Sequence, residues 1–126
     1  MRAEIESAVN FLTKLIAKSN ESSLVITPET IDSFSEKLCQ LLTEKFQNHW
    51  FPEKPIKGQA FRCIRFNENI RRDPIVEKAC RESGINYDDL KLPLELTLWV
   101  DPHEVTCRSV SPFGSSRDCH LVTTNW

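Results

Sequence analysis

At 126 residues, with 40% hydrophobic and 27% charged side chains, the sequence has the size and composition of one globular domain around a single core. A net charge of −2 leaves no general phosphate-neutralising surface, and no apolar run approaches the roughly 20 residues that a bilayer span requires. With only three glycines the chain holds neither a P-loop nor a dinucleotide fingerprint, so nucleotide-driven chemistry is excluded and no cofactor is expected.

From Ala3 to Lys18 the residues Ile5, Ala8, Val9, Leu12, Leu15 and Ile16 recur at helical spacing, which predicts a helix with one buried face. Thr27 before Pro28 supplies an N-cap hydroxyl and a first-turn proline, with Glu29 and Asp32 at the positive helix end. The second helix carries the stripe Ile31, Phe34, Leu38, Leu41, Leu42 and Phe46 and should pair with the first as an antiparallel hairpin. Two prolines between His49 and Pro55 break the helical text. An extended segment over Ala60–Phe66 then sets Phe61, Cys63 and Arg65 against Arg62, Ile64 and Phe66. Asp73-Pro74 opens a third, short helix that Gly84 ends in a left-handed cap, and Tyr87–Leu90 adds a further turn.

Leu94 to Val100 alternates leucines and Val100 with Glu95, Thr97 and Trp99, the period of a half-buried strand, so Trp99 falls on the polar side. Asp101-Pro102 turns the chain into a second strand over Glu104–Arg108, with Cys119–Thr124 a weaker third. Helices first and strands last imply an α+β domain over residues 1–126, a helical layer packed on a small, mostly antiparallel sheet.

The five cysteines, Cys39, Cys63, Cys80, Cys107 and Cys119, are odd in number and scattered. With two acidic residues in Met1–Ser7 where a signal peptide would have its basic start, they point to a reducing, intracellular compartment. His103, Cys107, Cys119 and His120 lack zinc-site spacing. On a strand His103 and Cys107 would share a face about 13 Å apart, too far for a nucleophile and its base. Leu38-Cys39-Gln40-Leu41-Leu42 spells a groove-binding LxxLL motif, but its leucines belong to the core stripe. Lys57–Ile64 partly matches an RNA-recognition strand, yet Gln59 stands where a stacking aromatic is needed. Direct RNA or DNA binding by the 57–66 strand is the alternative reading. Trp50, at a helix end, reads as core. Trp99, beside Glu95, Thr97 and Asp101, reads as an interface anchor.

His49-Trp50-Phe51-Pro52-Glu53-Lys54-Pro55-Ile56-Lys57-Gly58-Gln59-Ala60-Phe61-Arg62-Cys63-Ile64-Arg65 resembles box A of the BTG/Tob antiproliferative family. Leu92-Pro93-Leu94-Glu95-Leu96-Thr97-Leu98-Trp99-Val100-Asp101-Pro102-His103-Glu104-Val105 resembles its box B, and Gln59-Ala60 is similar to the branch of the third and fourth BTG members. The resemblance covers residues 3 to 108 or so. It implies a noncatalytic adaptor, monomeric on its own, cytoplasmic and nuclear, that binds the Caf-type deadenylase subunit of the CCR-NOT complex and modulates messenger RNA deadenylation. By the same resemblance the protein-binding residues are Lys57, Phe61, Trp99, Asp101, Pro102 and Glu104, with no direct nucleic-acid or membrane contact. After box B the family's Gly-Glu turn is replaced by Ser109-Val110-Ser111-Pro112-Phe113-Gly114, so residues 109–126 read as divergent and the preceding strand is expected to lack an assured neighbour.

Overall fold

The two longest apolar stripes become the two longest helices, α1 (Arg2–Ser19) and α2 (Pro28–Phe46). The computed structural model describes residues 1–22, 24–110 and 116–123. Thr27 caps α2 as the sequence predicts, its hydroxyl accepting the Thr30 N–H at 3.2 Å with Pro28 in the first turn. Ile5, Ala8, Val9, Leu12 and Ile16 of α1 and Phe34, Leu38, Leu41, Leu42 and Phe46 of α2 are buried, while Leu15 and Ile31 lie half-buried. Each buried Leu or Phe contributes about 1.5–3 kcal/mol of apolar transfer, which holds the hairpin on the sheet. The LxxLL leucines are therefore core residues, and no described helix is long and apolar enough to cross a membrane.

The sheet is a four-stranded antiparallel meander in the order β1 (Cys63–Phe66), β2 (Glu95–Asp101), β3 (Glu104–Val110) and β4 (Ser116–Thr123). Ile64, Phe66, Leu96, Leu98, Val100, Val105 and Cys107 put one face into the core against the helices. Cys63, Arg65, Glu95, Thr97, Trp99, Thr106 and Arg108 occupy the opposite face, and no described helix covers it. Helix α3 (Pro74–Ser83) packs on α2, and its Asp73 cap does double duty. One carboxylate oxygen accepts the Ile75 and Val76 N–H groups at 2.9 and 3.2 Å, and the other accepts Arg65 N–H of β1 at 3.0 Å. Gly84 ends α3 at φ 72°, and Tyr87–Leu90 forms the expected extra turn, here 3₁₀.

Three expectations change. The extended segment begins at Cys63, since Gly58 takes a left-handed φ of 76° and Gln59–Phe61 closes a 3₁₀ turn through Phe61 N–H to Gly58 C=O at 2.9 Å. That leaves the 57–66 stretch without the continuous strand that stacking on RNA demands. His103 lies in the β2–β3 turn at φ 66° and not on the strand, while Cys107 points into the core, so the two share no open face. The strand β3 does have a neighbour: Ser109 pairs with Arg117 and Val110 with Ser116, with a bulge between Val105 and Thr106. Ser111–Ser115, between these strands, lie outside the described residues, as does Thr124 of the predicted strand.

Candidate functional site

Between α2 and β1 the backbone has no regular ladder: turn bonds meet the Phe51, Lys54, Ile56, Gly58 and Gln59 carbonyls, and others take side-chain donors. One side chain supplies most of them. The Arg62 guanidinium, 0% exposed, donates from Nη1 to the His49 and Lys57 carbonyls and from Nη2 to the Pro55 carbonyl. Its Nε reaches Val100 C=O at 2.9 Å and its Nη2 the Asp101 carboxylate at 3.0 Å, while its Cζ lies 5.6 Å from the centroid of the Trp50 ring. A buried cation tolerates such a place only when its N–H groups and charge are met, and here they are. Gly58 is part of the same device: a Cβ there would meet Arg62 Nη1 at 3.1 Å and His49 O at 3.2 Å.

Asp101 is gripped from both sides, its second oxygen accepting Gln59 Nε2 at 2.8 Å. Gln59 thus serves inside the loop, which accounts for the residue that spoils the RNA-recognition pattern. The β2–β3 turn is tied once more by Glu4, a buried carboxylate of α1 that accepts the His103 N–H at 2.9 Å and pairs with the terminal amine of Met1 at 3.3 Å. Burial by itself would raise the Glu4 carboxyl, but the His103 and Glu4 N–H groups and the amine outweigh it and hold it below the usual carboxylate range.

This frame displays aromatic groups at the rim of the uncovered sheet face. Phe61 is 55% exposed and stacks on His49, ring centroids 4.4 Å apart at 15°. Trp99 is half-buried and sits across from Cys63 on β1 and Thr106 on β3. A groove of about 560 Å³ lies beside Trp99, lined among others by Ala60, Cys63, Thr97 and Trp99 itself.

Of the residues marked in the sequence, Phe61, Trp99 and Asp101 converge where β1 meets β2. Lys57 lies on the neighbouring loop with its ammonium 4.5 Å from the Phe51 ring, and Glu104 is exposed at the start of β3. Pro102 is buried and shapes the turn without offering surface of its own. Trp50, read as core, is half-buried and packs against it. The roles of Arg62, Gln59, His49 and Glu4 in this site emerge only with the fold. The available signal was the alternation itself, which put Arg62 on the same side as Ile64 and Phe66. An arginine on a core-facing row needs buried partners.

The groove offers contact, not nucleophilic chemistry. Burial raises the Cys63, Cys39 and Cys80 thiols, the last to about 12, so none of these is a thiolate at neutral pH. Among the described residues no group of three or more His, Cys, Asp or Glu could hold a metal. The Cys119 and His120 side chains of the weighed metal set lie outside the described residues.

A BTG family profile matches residues 1–117. Protein BTG3 of Rattus norvegicus is 49% identical over 124 residues, which cover 98% of this chain and 46% of that protein. Protein BTG4 of Homo sapiens is 47% identical over 108 residues, covering 86% and 47% of the two chains, and human Protein Tob1 is 39% identical over 108 residues, covering 84% and 29%. The chain therefore spans about half the length of the BTG3 and BTG4 relatives it matches. Among solved structures, the FOG-3 BTG/Tob domain of C. elegans superposes with a TM-score of 0.77 at 20% identity, covering 99% of this chain and 84% of that one, a likeness of fold.

Proposed function

The chain belongs to the BTG family, and on that premise we propose that it is a noncatalytic, antiproliferative adaptor that docks on the Caf-type deadenylase subunit of the CCR-NOT complex and modulates messenger RNA deadenylation. It acts as a monomer in the cytoplasm and nucleus. The observation that supports this reading is the joint between the two boxes: buried Arg62 of box A grips Asp101 of box B, next to Trp99 in its strand pairing with Cys63 and Thr106 and near Phe61 stacked on His49. A partner meets preordered aromatic groups there, so little ordering entropy opposes docking. Lys57 and Glu104 lie at the edges, where charges set approach and orientation more than affinity.

Direct nucleic-acid binding through residues 57–66 has less support. Its backbone is a turn over Gln59–Phe61, Gln59 is committed to Asp101, and the chain is net negative. Titrating the purified chain against recombinant deadenylase, and separately against poly(A), decides between the two. Saturable deadenylase binding with no poly(A) binding is expected. Poly(A) binding with a steep salt slope and no deadenylase binding would reverse the conclusion.

A further inference from the structure

The outward sheet face carries a feature that the aromatic rim does not use. Cross-strand register places Arg65 on β1 opposite Thr97 on β2, Thr97 opposite Arg108 on β3, and Arg108 opposite Asp118 on β4. The row therefore reads Arg, Thr, Arg, Asp, and it lies one pleat from the row of Cys63, Trp99 and Thr106. At one end the charge is met: Arg108 Nε reaches Asp118 at 2.9 Å and Nη2 at 3.4 Å. At the other end Arg65 is exposed, and its guanidinium has no hydrogen bond or ion pair among the described residues. Arg65, Thr97, Arg108 and Trp99 all line the same groove.

We propose that Arg65, beside Thr97 and one pleat from Trp99, receives a carboxylate-bearing side chain of the protein partner that docks on this face, while Arg108 stays engaged with Asp118. The inference rests on the adaptor reading and adds to it what the partner must present: an acidic residue next to its Trp99 contact. A guanidinium fork matches a carboxylate in two parallel hydrogen bonds. The Arg108–Asp118 pair displays that chemistry within the row itself. A single carboxylate fits this row better than a nucleic-acid strand does, because a strand continuing along the face would carry its phosphates over Glu95, the groove's own anion, and toward Asp101.

The test is titration of recombinant Caf-type deadenylase with the wild-type chain, Arg65→Gln, Arg65→Glu and Trp99→Ala, at about 0.05 and about 0.5 M salt. Arg65→Glu should weaken binding about tenfold at low salt, Arg65→Gln less, and both deficits should shrink at high salt. Melting midpoints of the Arg65 variants should stay at the wild-type value, because an exposed, unpaired side chain is being changed. Wild-type affinity of Arg65→Glu at both salts, alongside a Trp99→Ala defect, would overturn the inference and leave the adaptor reading standing. Absence of any wild-type binding would overturn both. Poly(A) binding that falls with Arg65→Glu while deadenylase binding does not would overturn it too, by making phosphate the ligand.

Discussion

The helical hairpin of α1 and α2 and the loop that follows it, residues 47–62, are held by opposite means. In the hairpin many apolar side chains each contribute a little, and the backbone within each helix is met by regular helix bonds. In the loop there is no ladder, and one guanidinium gathers three loop carbonyls, a strand carbonyl and a carboxylate. Stability spread over many residues tolerates single losses in proportion to the atoms removed. Stability gathered at one charge fails at once, and fails at the surface proposed to bind. The proposed binding face thus depends on a residue that contributes none of its own surface.

The largest effect that separates these regimes is expected at Arg62. Replacing it with Met strands the Asp101 carboxylate and the carbonyls of His49, Pro55 and Lys57, and should cost about 3–5 kcal/mol in chemical denaturation. A cost below about 1 kcal/mol would mean that the loop has other support. In the hairpin, Leu38→Ala should cost about 2–5 kcal/mol through a buried cavity, with the fold and the partner surface retained. A near-silent Leu38→Ala that abolished binding to a receptor groove would instead revive the LxxLL reading.

Two glycines give a finer comparison, because both hold left-handed backbone, at φ 76° for Gly58 and 72° for Gly84. Gly84 has open space where a Cβ would go, whereas Gly58 faces Arg62 Nη1 and the His49 carbonyl. Gly84→Ala should lose about 1 kcal/mol from backbone strain, and Gly58→Ala about 2 kcal/mol or more from strain plus displacement of the guanidinium. Equal losses in thermal melts would show that the Arg62 contacts yield freely.

This contrast also explains what could be read in advance. Helical stripes, the Thr27 and Asp73 caps, Gly84 and the alternation of Leu94–Val100 are local patterns with a period or a fixed offset, and each appears where the sequence puts it. The start of β1 was misplaced because Gly58 and the turn over Gln59–Phe61 depend on Arg62, whose partners lie as far away as Val100 and Asp101. Nor did local text reveal the pairing of β3 with β4, since register across a hairpin of unfamiliar turn sequence is a long-range property. Glu4 was hidden likewise: a first-turn acid reads as surface, and only the fold brings the His103 N–H to it.

The smallest effect concerns that carboxylate. Glu4 is held below the ordinary value of about 4.3, so its contribution is present above that pH and is lost as pH falls through the folded-state value. Glu4→Gln should therefore be less stable than wild type at neutral pH, with the difference closing in acid. A difference that widened as pH fell below about 4 would contradict the lowered carboxyl.

Trp99 lies on the outward face, where we propose it meets a partner, while Leu96, Leu98 and Val100 beside it belong to the core. Measuring deadenylase affinity and melting midpoint together for Trp99→Ala tests that claim most directly. As an anchor in an interface of roughly 800 Å² per partner, its loss should cost about 2–4 kcal/mol of binding, thirtyfold or more, with the midpoint little changed. A folded Trp99→Ala that binds with wild-type affinity would contradict the claim, as would a midpoint lowered by several degrees with binding lost only in proportion to unfolding.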